Sequence, residues 1–70
     1  MHELKIIGKN ISELRKSKGL SQEDLCGLAE IDRSYLSELE NGKMNVTVKA
    51  LVNIAAALET SLLNLLADID

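Results

Sequence analysis

The chain has no proline, no tryptophan and no phenylalanine, and Tyr35 is its single aromatic residue. Its core must therefore be built from leucine, isoleucine, valine and alanine, in a sequence that is 46% hydrophobic. These residues, with many glutamates and lysines among them, favour helices. At 70 residues the chain has room for one domain with one modest core, and none for a second domain or a buried catalytic cleft. The composition predicts an all-α domain spanning residues 1–70.

Residues that commonly carry catalysis or bind metals are almost missing. Cys26 and His2 are the only cysteine and the only histidine, so the chain has neither an internal disulfide nor a His/Cys cluster with metal-ligand spacing. It also has no glycine-rich phosphate loop. We therefore expect no enzyme activity, no metal, no cofactor and no small-molecule ligand.

Long apolar runs are absent as well. Stretches such as residues 54–58 fall far short of the roughly 20 residues that a membrane span requires. No apolar run follows a basic stretch near the N-terminus, as a secretory signal would. These absences predict a soluble, cytoplasmic protein with no membrane partner.

Positive charge is scarce, and the net charge of −3 argues at first against a polyanionic partner such as nucleic acid. The distribution of charge matters more than its sum. All eight lysines and arginines fall within the first 49 residues, whereas residues 50–70 hold three acidic residues and no basic one. The first part can therefore present a basic face, and the last part is suited to packing.

Apolar residues recur at helical spacing from the start of the chain. Steps of three and four predict a first helix over Leu4–Ser17, with Gly19 as its stop. The stripe consists of Leu4, Ile7, Ile11 and Leu14. Ser21 and the acidic residues after it are typical of an N-cap and a first turn, and this second helix runs to about Ala29.

The second half of the chain continues the pattern. Thr47 caps a fourth helix, and Ser61 starts a last helix that reaches about Asp68. The apolar set of the fourth helix is Val48, Leu51, Ile54, Ala55 and Leu58. The leucines of the last helix exceed what one buried face needs, so apolar surface is left over at the C-terminus.

Between these segments lies a third short helix, which begins at Asp32 or Arg33 with Asp32 as its cap and ends at Asn41-Gly42. Two short helices, joined by a turn of three or four residues and each with a capped polar N-terminus, form the geometry that inserts one helix into the DNA major groove. Any pair of helices in a bundle resembles this arrangement, so the generic signal alone is weak.

The residues themselves make the signal specific. The run from Ser21 to Lys43, which contains AEIDRSYLSELENGK, resembles the five-helix family of phage-repressor-like and xenobiotic-response-element-type regulators. The likeness continues through residues 45–48 and 51–58. It implies a compact five-helix domain of the lambda-repressor-like type that binds double-stranded DNA. Within the family the chain is similar to the small restriction-modification controller proteins, which often have valine at the place of Val46; repressors of lysogeny are the alternative.

The resemblance places base contacts on the outward face of the third helix, at Arg33, Ser34, Ser37 and Glu38. Spacing supports a shared face, because 33 and 37, like 34 and 38, are four residues apart, whereas Leu36 and Leu39 point to the core. An arginine there can pair with guanine O6 and N7, and a glutamate can accept from a cytosine amine. A solvated face without a partner is the alternative for each residue taken alone.

Contacts to the DNA backbone are expected around this face, at Ser21, Gln22, Tyr35, Asn41, Lys43 and Asn45. Gln22 begins the second helix, whose N-terminus suits a phosphate, and it matches a residue that binds a phosphate or braces a neighbouring side chain. The alternatives are a solvated Gln22, a Tyr35 that only packs, and a solvated loop after the third helix.

Three positions concern the fold rather than DNA. The resemblance implies a partly buried ion pair between Arg15 and Glu40 that joins the first helix to the end of the third. Glu30 stands where relatives commonly have a turn glycine, so a positive φ there would strain it by roughly 1 kcal/mol. We interpret Cys26 as a small buried hydrophobic residue rather than a redox sensor.

One recognition helix reads about half a site, so a homodimer on a two-fold-related operator is expected. Residues 60–70 are the candidate self-complementary patch, through Leu62, Leu63, Leu65, Leu66 and Ile69. A purely intramolecular role of these residues is the alternative. An antitoxin-like module whose apolar face, Leu28 included, binds another protein also stays open, and the sequence leaves open the operator and the choice between activation and repression.

Overall fold

A computed structural model of the chain describes residues 2–68. Within that range it contains five α-helices and no β-strand: α1 His2–Ser17, α2 Gln22–Ala29, α3 Arg33–Glu40, α4 Val48–Ala57 and α5 Leu62–Leu65. The turn of residues 30–32 joins α2 to α3, which pack against each other. α1 packs against α3, α4 packs against α2, and α5 packs against both α1 and α4. The helix pair is therefore supported from two sides, and the predicted all-α five-helix fold is confirmed.

Four helices begin at the side-chain caps that the sequence predicts, namely Ser21, Asp32, Thr47 and Ser61. The cap of α2 is reciprocal. The Ser21 hydroxyl accepts from the Asp24 backbone N–H at 3.0 Å, and the Asp24 carboxylate accepts from the Ser21 N–H at 2.9 Å. The hydrogen bond from the Ser21 backbone N–H favours the charged carboxylate and lowers the pKa of Asp24.

Left-handed backbone marks the turns that flank the helix pair. Gly19, after α1, and Gly42, after α3, both have a φ of +71°, which glycine adopts without steric cost. Glu30, at the end of α2, has a φ of +56°. The turn therefore keeps the positive φ of the glycine for which Glu30 stands, and the glutamate there is strained by roughly 1 kcal/mol.

The core is aliphatic, as the composition requires. Its fully buried side chains are Ile11, Leu25, Leu36, Ile54, Leu58 and Leu65. Cys26 packs among them, and burial raises the pKa of its thiol. The prediction of a small buried hydrophobic residue at this position is confirmed. In the range 2–68, no helix is both long enough and apolar enough to cross a bilayer.

The ends of the chain differ from the predictions. α1 begins two residues before the predicted Leu4. α5 is a single turn and ends before Leu66 instead of reaching Asp68, whose φ of +71° is incompatible with a right-handed helix. Leu65 is fully buried, so its predicted role as a dimer contact is wrong: it is needed to hold α5 on the core. Ile69 lies outside the described residues.

Candidate nucleic-acid interface

The four residues predicted to read bases lie together on α3. Together with Gln22 of α2, they line one open groove of about 330 Å³. The four residues are Arg33, Ser34, Ser37 and Glu38. The opposite side of α3 is buried through Leu36 and Leu39. The helix therefore presents one polar face outward, with donors and acceptors of the kind that contact base edges.

An ion pair fixes the end of α3 on α1. Arg15 Nε and Nη2 donate to the two carboxylate oxygens of Glu40 at 2.7 and 3.0 Å, in the bidentate geometry that makes such pairs strong. Arg15 Nη1 donates to the Leu20 carbonyl at 2.7 Å. The two charged side chains are only 10% and 7% exposed, and the hydrogen bond to Glu40 raises the pKa of Arg15. The pair that the family resemblance implied is thus present.

Gln22 belongs to the same network. Its Nε2 donates to Glu40 Oε1 at 3.1 Å, the oxygen that Arg15 Nη2 also contacts. Of the roles that the sequence left open, the structure shows the bracing of a neighbouring side chain; the phosphate contact stays a prediction. The bond joins the first turn of α2 to the last turn of α3, so a polar contact as well as the core sets the spacing of the two helices.

Tyr35 holds the loop that follows α3. Its ring packs against the core, and its hydroxyl donates to the Asn45 carbonyl at 3.4 Å and accepts from the Thr47 backbone N–H at 3.3 Å. These contacts show the packing role that the sequence left open, and the phosphate contact stays a prediction. The tyrosine hydroxyl therefore contacts both ends of the segment from Asn45 to Thr47.

The other candidates for backbone contact lie at the surface on both sides of the groove. Asn41, Lys43 and Asn45 are exposed after α3, and Ser21 is exposed before α2. Asn41 Nδ2 donates to the Ser37 carbonyl at 2.9 Å. Because this nitrogen carries two hydrogens, one stays available to a phosphate oxygen.

An acidic residue beside the groove was not identified from the sequence. Glu23 Oε1 of α2 lies 3.7 Å from Arg33 Nη1, and both side chains are largely exposed. Such a pair adds little to stability, but it places a negative charge next to the arginine that is predicted to contact guanine. The sequence showed Glu23 only as part of an acidic first turn.

Five large apolar side chains of α4 and of the α5 segment are exposed. Leu62, Leu63 and Leu66 around α5 are 39%, 79% and 37% exposed, and Val48 and Val52 of α4 are 75% and 47% exposed. We call these five residues the apolar C-terminal surface. The sequence missed the valines, and it wrongly assigned Val48 to the core stripe of α4. The signal for a separate face was their spacing of four residues, which places both on one side of the helix.

The groove is not a candidate metal centre. Among residues 2–68, no three or more histidine, cysteine, aspartate or glutamate side chains come together as metal ligands would. Its chemistry is that of hydrogen bonds and ion pairs.

Known proteins share both the sequence pattern and the fold. The sequence profile of the helix-turn-helix family matches residues 11–65, which include the groove and most of the core. The chain belongs to the helix-turn-helix family. This helix-turn-helix protein is 42% identical to the control protein C.MunI of Mycoplasma sp over 72 residues, which cover 100% of this chain and 97% of that protein. It is thus a transcriptional regulator.

Two further comparisons relate this regulator to controllers and to a phage repressor. The crystal structure of the restriction-modification controller protein C.AhdI from Aeromonas hydrophila matches it with a TM-score of 0.90 at 38% identity, over 93% of this chain and 98% of that one. The immunity repressor protein of Bacillus phage phi105 is 35% identical over 52 residues, which are 74% of this chain and 36% of the repressor. The predicted similarity to restriction-modification controllers is confirmed.

Proposed function

We propose that this chain is a sequence-specific regulator that acts as a homodimer on a two-fold-related operator, as a restriction-modification controller. The observation that carries the proposal is the groove of α3, in which all four candidate base contacts share one outward face with Gln22. The likeness to C.MunI and C.AhdI supports the controller class. The position of the operator relative to the promoter decides between activation and repression, and the chain's own promoter is a candidate target.

In this proposal α3 enters the major groove, as the second helix of such a motif does. Arg33 donates to guanine and Glu38 accepts from a cytosine amine, while the hydroxyls of Ser34 and Ser37 contact either type of base pair. The residues that position the DNA backbone are Ser21, Gln22, Tyr35, Asn41, Lys43 and Asn45. The protein carries out this role in the cytoplasm and without a cofactor.

The size of the domain argues for two copies. The eight residues of α3 span about 12 Å, and the longest dimension of the domain is 30 Å. Successive major grooves on one face of DNA lie about 34 Å apart, so one copy reads one half-site. Two copies joined through the apolar C-terminal surface would present two α3 helices to successive grooves.

A selection of genomic fragments bound by the purified protein tests this function. The expected fragments share a two-fold-related motif with half-sites centred about 10 base pairs apart, and their binding weakens steeply with salt. The Arg33→Ala protein is the matched control; it should enrich the motif less and lose the base preference at one position of each half-site. Fragments without a common motif, or the same enrichment by the control, would contradict the proposal. Motifs beside restriction-modification genes support a controller, whereas motifs within a prophage favour the phage-type repressor.

A protein-interaction module of the antitoxin type is the second candidate, because Leu28 of α2 is 60% exposed. Leu28 lines a second shallow groove with Glu23 and Asp24, and this groove contains none of the four candidate base contacts. The Leu28→Asp variant separates the two functions. If the variant binds the operator as wild type does but no longer regulates in cells, the protein-interaction module is favoured. If operator binding and regulation are both unchanged, the module is excluded.

A further inference from the structure

The short helix α5 must be held in place by contacts from the rest of the fold. Four residues are too few for a helix to be stable alone, and Leu62 and Leu63 within it are exposed. Ser61 caps its start, and Leu65 anchors it in the core. Leu65 is the only fully buried side chain of α5, so contacts at the other end of the helix help to fix the orientation of the exposed leucines.

Asn10 of α1 makes those contacts. Its Nδ2 donates to the Leu65 carbonyl at 2.9 Å and to the Ala67 carbonyl at 2.8 Å. An amide nitrogen has two hydrogens, and both are used here. The last carbonyls of a helix have no partner within it, so Asn10 caps the end of α5 from a residue that is 55 and 57 positions away in the chain.

The two bonded carbonyls lie on either side of Leu66. Because one nitrogen on the 16-residue α1 holds both of them, α5 cannot turn about Leu65 without breaking at least one bond. We propose that Asn10 is a positioning residue for self-association: it holds Leu62, Leu63 and Leu66 in the arrangement that a second copy of this chain binds. This inference rests on the proposed homodimer, and Asn10 is not part of the groove on α3.

Sedimentation of the Asn10→Asp and Asn10→Ala proteins tests the inference, with Lys9→Ala as the control on the neighbouring exposed position. Aspartate keeps the shape of the side chain and removes both N–H donors. The dimer dissociation constant should rise roughly tenfold or more in both variants, because each loses two hydrogen bonds, and it should be unchanged in the control.

Two further readouts separate positioning from general damage to the fold. Affinity for a half-site duplex, which one copy binds, should stay within about twofold of wild type, a range typical of surface changes. Exchange of the Leu66 amide hydrogen, which bonds to the Leu62 carbonyl, should accelerate while the amides of α3 are unaffected.

An unchanged dissociation constant in both variants overturns the inference. Half-site binding that falls in parallel with dimerisation overturns it too, as does failure of both variants to fold, because either result would assign Asn10 to the stability of the whole domain. A wild-type chain that stays monomeric at micromolar concentration, on and off its operator, contradicts the homodimer itself, and the inference falls with it.

Discussion

The motif region, residues 21–45, and the C-terminal region, residues 47–68, share one core but expose opposite chemistry. The motif region surrounds a groove with charged and hydroxyl side chains, and its exposed large apolar residues are Leu28 and Met44. The C-terminal region exposes five large apolar residues, the apolar C-terminal surface. Under the proposed function, this division accounts for DNA binding by a chain with a net charge of −3: a local polar face would select the site, and pairing of two copies would supply the remaining affinity.

The largest expected effect comes from removing the contact on which the motif region depends. Glu40→Ala should lower the free energy of unfolding by about 3–5 kcal/mol, because it leaves the Arg15 charge buried without its partner. Glu38→Ala, two residues earlier on the exposed face of the same helix, should change it by less than about 0.5 kcal/mol. Urea or thermal denaturation measures both. Equal stability of the two variants would show that the Arg15–Glu40 ion pair does not stabilise the fold.

In the C-terminal region, the largest effect should come from a charge introduced into the proposed dimer contact. Leu63→Glu places a carboxylate in the proposed dimer contact and removes a leucine whose burial is worth about 1.5–3 kcal/mol, so the dimer dissociation constant should rise about ten- to a hundredfold. Leu28→Glu is the control, since Leu28 is an exposed leucine of the motif region. Sedimentation equilibrium should show a weakened dimer only for Leu63→Glu. A similar loss of dimer affinity in both variants would mean that the dimer contact is not specific to the apolar C-terminal surface.

Within the motif region, base contacts and phosphate contacts should be separable. Arg33→Ala should cost about 1–3 kcal/mol of operator affinity and relax specificity at one position of each half-site. Lys43→Ala should instead weaken binding to all sequences alike and reduce the salt dependence by about one counterion. Binding to the operator and to single-substitution operators across a salt series distinguishes them. Unchanged specificity of the Arg33 variant would remove this arginine from the base contacts.

The smallest expected effect is a gain. Glu30→Gly relieves a φ of +56° and should stabilise the domain by about 0.5–1 kcal/mol. Glu59→Gly, at a φ of +54° beyond α4, is the matched change in the C-terminal region. Both should raise the melting temperature and leave operator affinity unchanged. A loss of stability at Glu30 would show that its left-handed backbone carries no strain.

Local signals explain why so much of the motif region could be predicted. Ser21 and Asp32 cap the helices that follow them, and Gly42 ends the third one, through contacts within a few residues in the chain. The outward face of α3 follows from helical spacing, and the ion pair of Arg15 followed from family resemblance. The same resemblance identified Glu30 as standing at the place of a turn glycine.

The C-terminal region was harder to predict because its structure depends on distant contacts. Nothing local distinguishes Leu65, which is buried, from Leu63, which is exposed. The end of α5 contacts the core through Leu65 and is bonded to Asn10, whose partners lie more than 50 residues away. The sequence could not decide between packing and a phosphate contact for Tyr35 either. Its hydroxyl bonds to backbone groups of a loop without regular structure, and such contacts leave no pattern in the sequence.

In the proposed function, α3 contacts the bases while the apolar C-terminal surface joins two copies. The most direct test of this proposal compares the binding of wild type, Leu63→Glu and Arg33→Ala to a full operator and to an isolated half-site at one salt concentration. The account predicts that Leu63→Glu binds the half-site as wild type does and binds the full operator about ten- to a hundredfold more weakly than wild type does. It predicts that Arg33→Ala remains a dimer and loses affinity for both DNAs. Wild-type affinity of Leu63→Glu for the full operator, or monomeric sedimentation of Arg33→Ala, would contradict it.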